Sequence, residues 1–452
     1  MSLTRSLAEF CTKLSYEDLP ADVVEKAKIC ILDAIGVGLE GAQAEAPKLA
    51  IAFSSDSKGK GTIWATGARV SYMDAILANT ACVQSILHDD VLMSTFAHPA
   101  GPVVCSALGL GEELASSGRS ALLATVIGYE VMGCIGGGEK YAGAAIARGF
   151  RGTPLFGVFA SAGVAGHLLS LSTDAFQHAL GAAASFACGI LEPMDAGSME
   201  WKFAAGVATN NGIVAAHMAR KGLSSAPTAL EGRFGFYHAF CSATGTPPAF
   251  VDGPGSHYQI LDNWHKPFPT GSESTWVSAM KLVQGIVRRD DIDPRRIASI
   301  VVRVMGRMLN YPGLTFSGVC ETIDKAIMSK PFAVAAIVKN KTLNYAVYRD
   351  QLKNDALYEI AKKVRVEPLS APSWDQFNAE AEIVMEDGTV YRGDPADLAP
   401  IQFFRNRKLA EESFMELTEG IIPTTKGKKI VEAVFRLEDM KDITELTRLF
   451  HT

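Results

Sequence analysis

The stretch HDDVLMSTFAHPAGP, residues 88–102, places His88, Asp89, Asp90, Thr95 and His98 between two apolar runs. Carboxylates beside imidazoles exchange protons near neutral pH. A polar cluster between apolar helices is either solvated or part of a site, and a loop lets its side chains converge. The competing reading is a set of helix caps and surface charges, because exposed loop carboxylates are common. Metal binding by His88, Asp90 and His98 is the weaker alternative, since no further compact ligand motif accompanies them.

Three cations stand in similar positions. Arg151, in GFRGTPLFG (149–157), precedes a helix expected to start near Pro154. A guanidinium beside a helix N-terminus is a good carboxylate seat, because bidentate donors add to the free backbone N–H groups. Lys202, in AGSMEWKFAAG (196–206), is a rare charge in an apolar stretch, at a loop-to-helix junction. It can hold a carboxylate, or give up a proton if burial lowers its pKa. Lys266, in HKPFPTGSEST (265–275), falls where two domains meet, and clefts between domains are preferred ligand sites. Ser272, Ser274 and Thr275 follow it, as substrate contacts or, more commonly, helix caps. For Arg151 and Lys202 the bland readings are a surface arginine and a lysine stem lying along the surface.

The elements that must position these residues are mostly helices. The apolar spacing predicts helices at 5–14, 20–41, 44–54, 71–87, 99–116, 119–134, 155–170, 173–190 and about 203–221. The glycine-rich run GGGEKYAGAAIARGFRGTP reads as a loop. These helices are too apolar to be surface helices and must pack on one another. After a Pro/Gly-rich linker near 241–256 the texture changes: IASIVVRV (297–304), KVRVEP and AEIVMEDGTVYRGD read as strands, the last a hairpin about Glu386-Asp387-Gly388. Helices return at 407–450 and are expected to pack back on the first domain.

The bulk numbers narrow the function. The 452-residue chain carries net charge -6 and no basic block, which argues against nucleic acid as a partner. Its eight cysteines are scattered, without a CxxC pair, and read as reduced core thiols. No uninterrupted apolar run reaches about 18 residues and no secretory signal is visible, so a soluble, cytoplasmic protein without a membrane partner is expected. There is no GxGxxG after a strand, no Walker motif and no GxSxG.

The order of these motifs resembles the MmgE/PrpD family, which includes 2-methylcitrate dehydratase, cis-aconitate decarboxylase and iminodisuccinate epimerase. The likeness runs through AKICILDAIGVGLEG, HDD…HPAG, GYEVMG, GFRGTP, ARKGLSSAPTALEGRFGF, KPFP and the EDGT hairpin. It implies a mainly α fold: an all-helical domain (1–264 with 399–452) and a smaller α+β lid (265–398). It also implies a homodimer, a site between domain and lid, and no metal or organic cofactor. His98 and Lys266 match the family pattern directly. Leu87-His88-Asp89-Asp90 lacks the first aspartate of the common Asp-aromatic-Asp-Asp run. Arg151 stands where many members carry histidine, Lys202 matches only with a one-residue shift, and Cys134 replaces a common arginine.

The expectation is a lyase of the 2-methylcitrate dehydratase type acting on a small di- or tricarboxylate. His88, Asp90, His98, Lys202 and Lys266 would form the catalytic set, with Arg151, Asp89 and Ser272 holding substrate. An iminodisuccinate-type epimerase or a cis-aconitate-type decarboxylase passes through the same carbanion and is the alternative. A non-catalytic carboxylate-binding paralogue is the rival from another class.

Overall fold

A computed structural model describes the chain apart from residues 272, 273, 307, 308, 310, 371–376, 400–402 and 452. Helix accounts for 60% of the structure and strand for 8%, so the fold is mainly α. The first part is built from α1 (Leu3–Lys13), α2 (Ala21–Gly41), α3 (Glu45–Ser54), α4 (Tyr72–Gln84), α5 (Ser106–Leu114) and α6 (Gly118–Gly136). It continues with α7 (Ala144–Ala147), α8 (Gly152–Leu168), α9 (Thr173–Phe186), α10 (Glu192–Ala196) and α11 (Glu200–Arg220). Serine caps start several of them: Ser2, Ser71, Ser117 and Ser172 each accept a backbone N–H from the first turn.

Small residues let these helices approach closely. A Cβ on Gly212 of α11 would fall 2.1 Å from both Ser161 Oγ and the Val158 carbonyl of α8, so only glycine permits this crossing. The result is one helical core that includes Ile31, Ile127, Tyr129, Phe156, Phe159 and Ile213, all fully buried. No single helix among the described residues is long and apolar enough to cross a membrane; α6 and the segment Glu139–Ala147 reach that composition only together, across a 66° bend. All eight cysteines are free, seven of them buried and Cys188 half-buried.

The run expected as a loop, 136–154, holds a π-helical turn (Glu139–Gly143) leading into α7. Its glycines act as helix ends rather than as a flexible tether: Gly137 and Gly138 take φ of +63° and +70°, and Gly149 takes +90°. Tyr141 drives the helix, being fully buried against Tyr237 at 4.8 Å between ring centres.

A second core lies around a four-stranded sheet of β5 (Ile297–Val304), β6 (Val364–Pro368), β7 (Glu380–Met385) and β8 (Val390–Arg392), ordered β6-β5-β7-β8. The preceding short pairs are β1 (Gly61–Thr62) with β2 (Arg69–Val70), and β3 (Val91–Leu92) with β4 (Asn263–Trp264). Strand β5 runs parallel to β6 (Ile300↔Val364) and antiparallel to β7 (Ile300↔Ile383). Its inward side chains Ile297, Ile300, Val302 and Val304 pack in one core with α13 (Ser274–Arg289) and α15 (Lys330–Asn340), which follow α12 (Pro248–Asp252) and α14 (Ile323–Met328). Gly388 makes the β7–β8 turn at φ +86°. Helices α16 (Tyr345–Gln351) and α17 (Asp355–Ala361) were not foreseen in the sequence. The last helices are α18 (Arg407–Leu417), α19 (Thr424–Phe435) and α20 (Thr444–Thr447), whose Phe414, Ile430, Val434 and Leu446 join the helical core. Leu87, Val91, Leu191, Met194 and Trp264 pack with the sheet-side core, so the two cores meet around the 87–98 segment.

Candidate active site

The pairing of β3 with β4 assembles the site. Two antiparallel registers, Val91↔Trp264 and Leu92↔Asn263, bring the residues before β3 beside those after β4. Asp89 thereby meets Lys266 although 177 positions separate them: the Lys266 ammonium lies 3.9 Å from Asp89 Oδ1 and donates to the Leu87 carbonyl at 2.8 Å. Leu87 itself takes φ +53°, a left-handed conformation that turns the chain sharply out of α4.

His98 is the centre of the arrangement. Its Nδ1 lies 2.9 Å from the Asp90 carbonyl oxygen and 3.3 Å from Asp89 Oδ1. Two acceptors at Nδ1 assign the ring proton there and leave the Nε2 lone pair available. Burial lowers the His98 pKa and the Lys266 ammonium lowers it further, against the raising effect of Asp89. His98 lines a cavity of about 800 Å³, together with Leu87, Val91, Phe96, Ile146, Met194 and Met328 among others.

Asp90 serves the scaffold. One oxygen accepts the Ala100 N–H at 2.9 Å, at the start of the helix that follows Pro99. The other accepts the Tyr129 hydroxyl, and Asn263 Nδ2 at 2.9 Å. Full burial pushes its carboxyl up to about 7, opposed by the Tyr129 hydrogen bond. Asp90 is sealed from solvent and is not part of the cavity wall.

Arg151 is also sealed. It occupies the position before α8, but its guanidinium donates to the Trp201 carbonyl (3.1 Å) and Gln84 Oε1 (2.7 Å), over the Trp201 ring. The Gln84 amide in turn donates to Asp89 Oδ2. Arg151 therefore acts on His98 through a relay, Arg151–Gln84–Asp89. Burial brings its pKa down to about 10, and it stays charged at neutral pH. Burial likewise lowers Lys266, to about 8, with Asp89 opposing.

Residues 5–248 match the profile of the MmgE/PrpD N-terminal domain. The chain belongs to the MmgE/PrpD family. Over 99% of its length it is 26% identical to a cis-aconitate decarboxylase of Mus musculus, covering 93% of that protein. It is 26% identical to one of Homo sapiens (99% and 94% covered) and 23% identical to one of Aspergillus terreus (99% and 96%).

Of the residues expected to form this MmgE/PrpD chain's site, Asp89, His98 and Lys266 converge, with Arg151 joined through Gln84. His88 does not: its Nδ1 pairs with Glu40 at 2.8 Å, beside a different cavity of about 420 Å³. The chain bends at Leu87 and again at Asp89, so Asp89 faces the site while His88 turns away to Glu40. The alternative His88/Asp90/His98 metal triad is accordingly not assembled. Lys202 sits in the first turn of α11 and is bound to Asp324 of α14, tying the two cores. Ser272 lies outside the described residues.

Two contributors were missed. Gln84 reads in sequence as an ordinary polar residue at a helix end. Lys330 is fully buried in an apolar run; its ammonium donates to Thr270 Oγ1 (2.5 Å) and the Ile327 carbonyl (3.2 Å). The Thr270 N–H then donates to the Leu87 carbonyl at 3.0 Å, the same oxygen that holds Lys266. A charge within SKPFAVAAIV was the available signal.

Proposed function

We propose that this chain is a lyase of the 2-methylcitrate dehydratase type, removing a proton next to a carboxylate of a small polycarboxylate. The observation that carries this reading is His98: on the cavity wall, fixed at Nδ1 by two oxygens, and held neutral by burial. Such an imidazole is a general base at Nε2. Taking the proton breaks a C–H bond, and the charge spreads into the adjacent carboxylate as an enolate. Lys266 and Arg151, just behind the wall, stabilise that negative charge through low-dielectric protein. The enolate then expels the neighbouring hydroxyl, which receives the proton from the His98 imidazolium and leaves as water. One imidazole suffices when both events occur on the same face.

Decarboxylation is the second reading, favoured by the activity for which the relatives are named. There CO2 departs first, and His98 must start protonated to deliver a proton to the carbanion. The homodimer implied by the family belongs to the same proposal and is checked by light scattering.

The test is NMR in D2O with 2-methylcitrate, citrate, cis-aconitate and iminodisuccinate, combined with CO2 detection. Deuterium entry at an α-carbon or loss of water supports the first reading, and CO2 release the second. Both signals should vanish in His98→Asn. Absence of exchange, dehydration and CO2 with all four acids would overturn the proposal.

A further inference from the structure

The cavity of about 800 Å³ sits high in the range of roughly 300–1,000 Å³ that encloses drug-sized ligands, far more than a six-carbon acid fills. Its charges are unevenly placed. Among the described residues, the cations Lys266 and Arg151 stand at the His98 end, behind the wall, joined to it through Asp89. None of the described residues lining the cavity is lysine or arginine. Away from His98 the wall is aliphatic and aromatic, including Phe96, Ile146, Ile190 and Met194. The carboxylates on the lining, Glu139, Glu192 and Asp195, are all solvent-exposed. Like charge at Glu192 and Asp195 disfavours a second anionic group, whereas the apolar wall favours an uncharged one. Ile190 is left 58% exposed on this wall, a large aliphatic surface that a ligand arm would cover.

We infer that the substrate is amphiphilic: carboxylates gathered at one end against His98, and an uncharged alkyl arm of several carbons along Phe96, Ile146, Ile190 and Met194. This rests on the carboxylate reading of the site given above and deepens it. A compact tricarboxylate with charge all round would leave the apolar wall uncovered. An alkyl-substituted di- or tricarboxylate matches the wall along its length.

The experiment is calorimetric titration of the full chain with succinate and a series of 2-alkylsuccinates, from methyl to octyl. These carry the head group and lack the leaving hydroxyl. The expected result is affinity rising about three- to four-fold per added methylene over the first several carbons, as burial of a CH2 gives. In Ile190→Asp, checked for native circular dichroism, the gain per methylene should fall below two-fold. Binding of succinate with flat or declining affinity along the series overturns the alkyl arm and leaves the carboxylate site standing. Binding of no member, short or long, overturns both.

Discussion

Asp89 Oδ1 lies 3.3 Å from His98 Nδ1, inside a site where Asp89 has no exposure to solvent. The same oxygen is 3.9 Å from the Lys266 ammonium. One buried carboxylate therefore orients the imidazole and balances the lysine, while Gln84 holds its other oxygen. This places two functions on a single side chain, and it makes Asp89 the most informative position to change.

Asp89→Asn keeps the shape and removes the charge. The His98 pKa, which Asp89 raises, should fall further, and the ring loses the anion that fixes its tautomer. We expect kcat to drop about 10²–10⁴-fold, as when a base loses its orienting carboxylate. Steady-state kinetics with circular dichroism on the same samples checks this; a loss below ten-fold in a folded variant would argue against the orienting role.

The pH profile separates the two chemical readings. If His98 is a base, kcat/KM rises with pH through a pKa below the ordinary 6.5, because deprotonation creates the active form. It then falls as pH passes about 8, where Lys266 loses its charge. If His98 is an acid, as decarboxylation needs, activity instead declines as pH rises through the His98 pKa. Lys266→Met should abolish the limb near pH 8 and lower kcat/KM throughout.

Arg151→Lys changes geometry while keeping charge. The guanidinium uses two nitrogens for Trp201 and Gln84, a fork that an ammonium cannot reproduce. Activity should fall about 10–100-fold through the loosened Gln84–Asp89 contact, with the greater part in kcat. A result equal to wild type would remove Arg151 from the relay.

Lys330→Met tests a buried cation that has no carboxylate beside it among the described residues. Burial holds its pKa well below that of a free lysine. The resulting penalty on stability is fully present below the folded-state pKa and fades as pH rises towards the unfolded value of about 10.4. Methionine should thus stabilise the fold by about 1–4 kcal/mol at pH 7 and by less at pH 10.5, measured by urea unfolding. Its kinetic effect, through Thr270 and the Leu87 carbonyl, should appear as a shift of the Lys266 limb in the pH profile.

Part of the arrangement was legible: His98 and Asp89 stood out as members of a polar cluster between apolar runs, Arg151 by its place before a helix and Lys266 by the change of texture around it, and the structure brings these four together. Strand β5 was read at its observed boundaries from its β-branched run. What escaped depends on tertiary pairing. Two-residue strands have no period to detect, so nothing in Val91-Leu92 or Asn263-Trp264 announced that they would bring Asp89 to Lys266. The side toward which His88 points follows from that same pairing. Residues 136–154 were read as loop because a cluster of glycines usually is one, whereas the burial of Tyr141 made a helix between Gly138 and Gly149.

The Lys266 carbonyl also accepts a hydrogen bond, at 3.0 Å, from Arg405, whose guanidinium grips Asp33 of α2. Lys266 is thus fixed by groups from near both ends of the chain. During synthesis α1–α11 emerge long before residue 405 has left the ribosome, and until then the backbone of Lys266 lacks this anchor. A growing chain would therefore carry an unfinished pocket until the polypeptide was nearly whole.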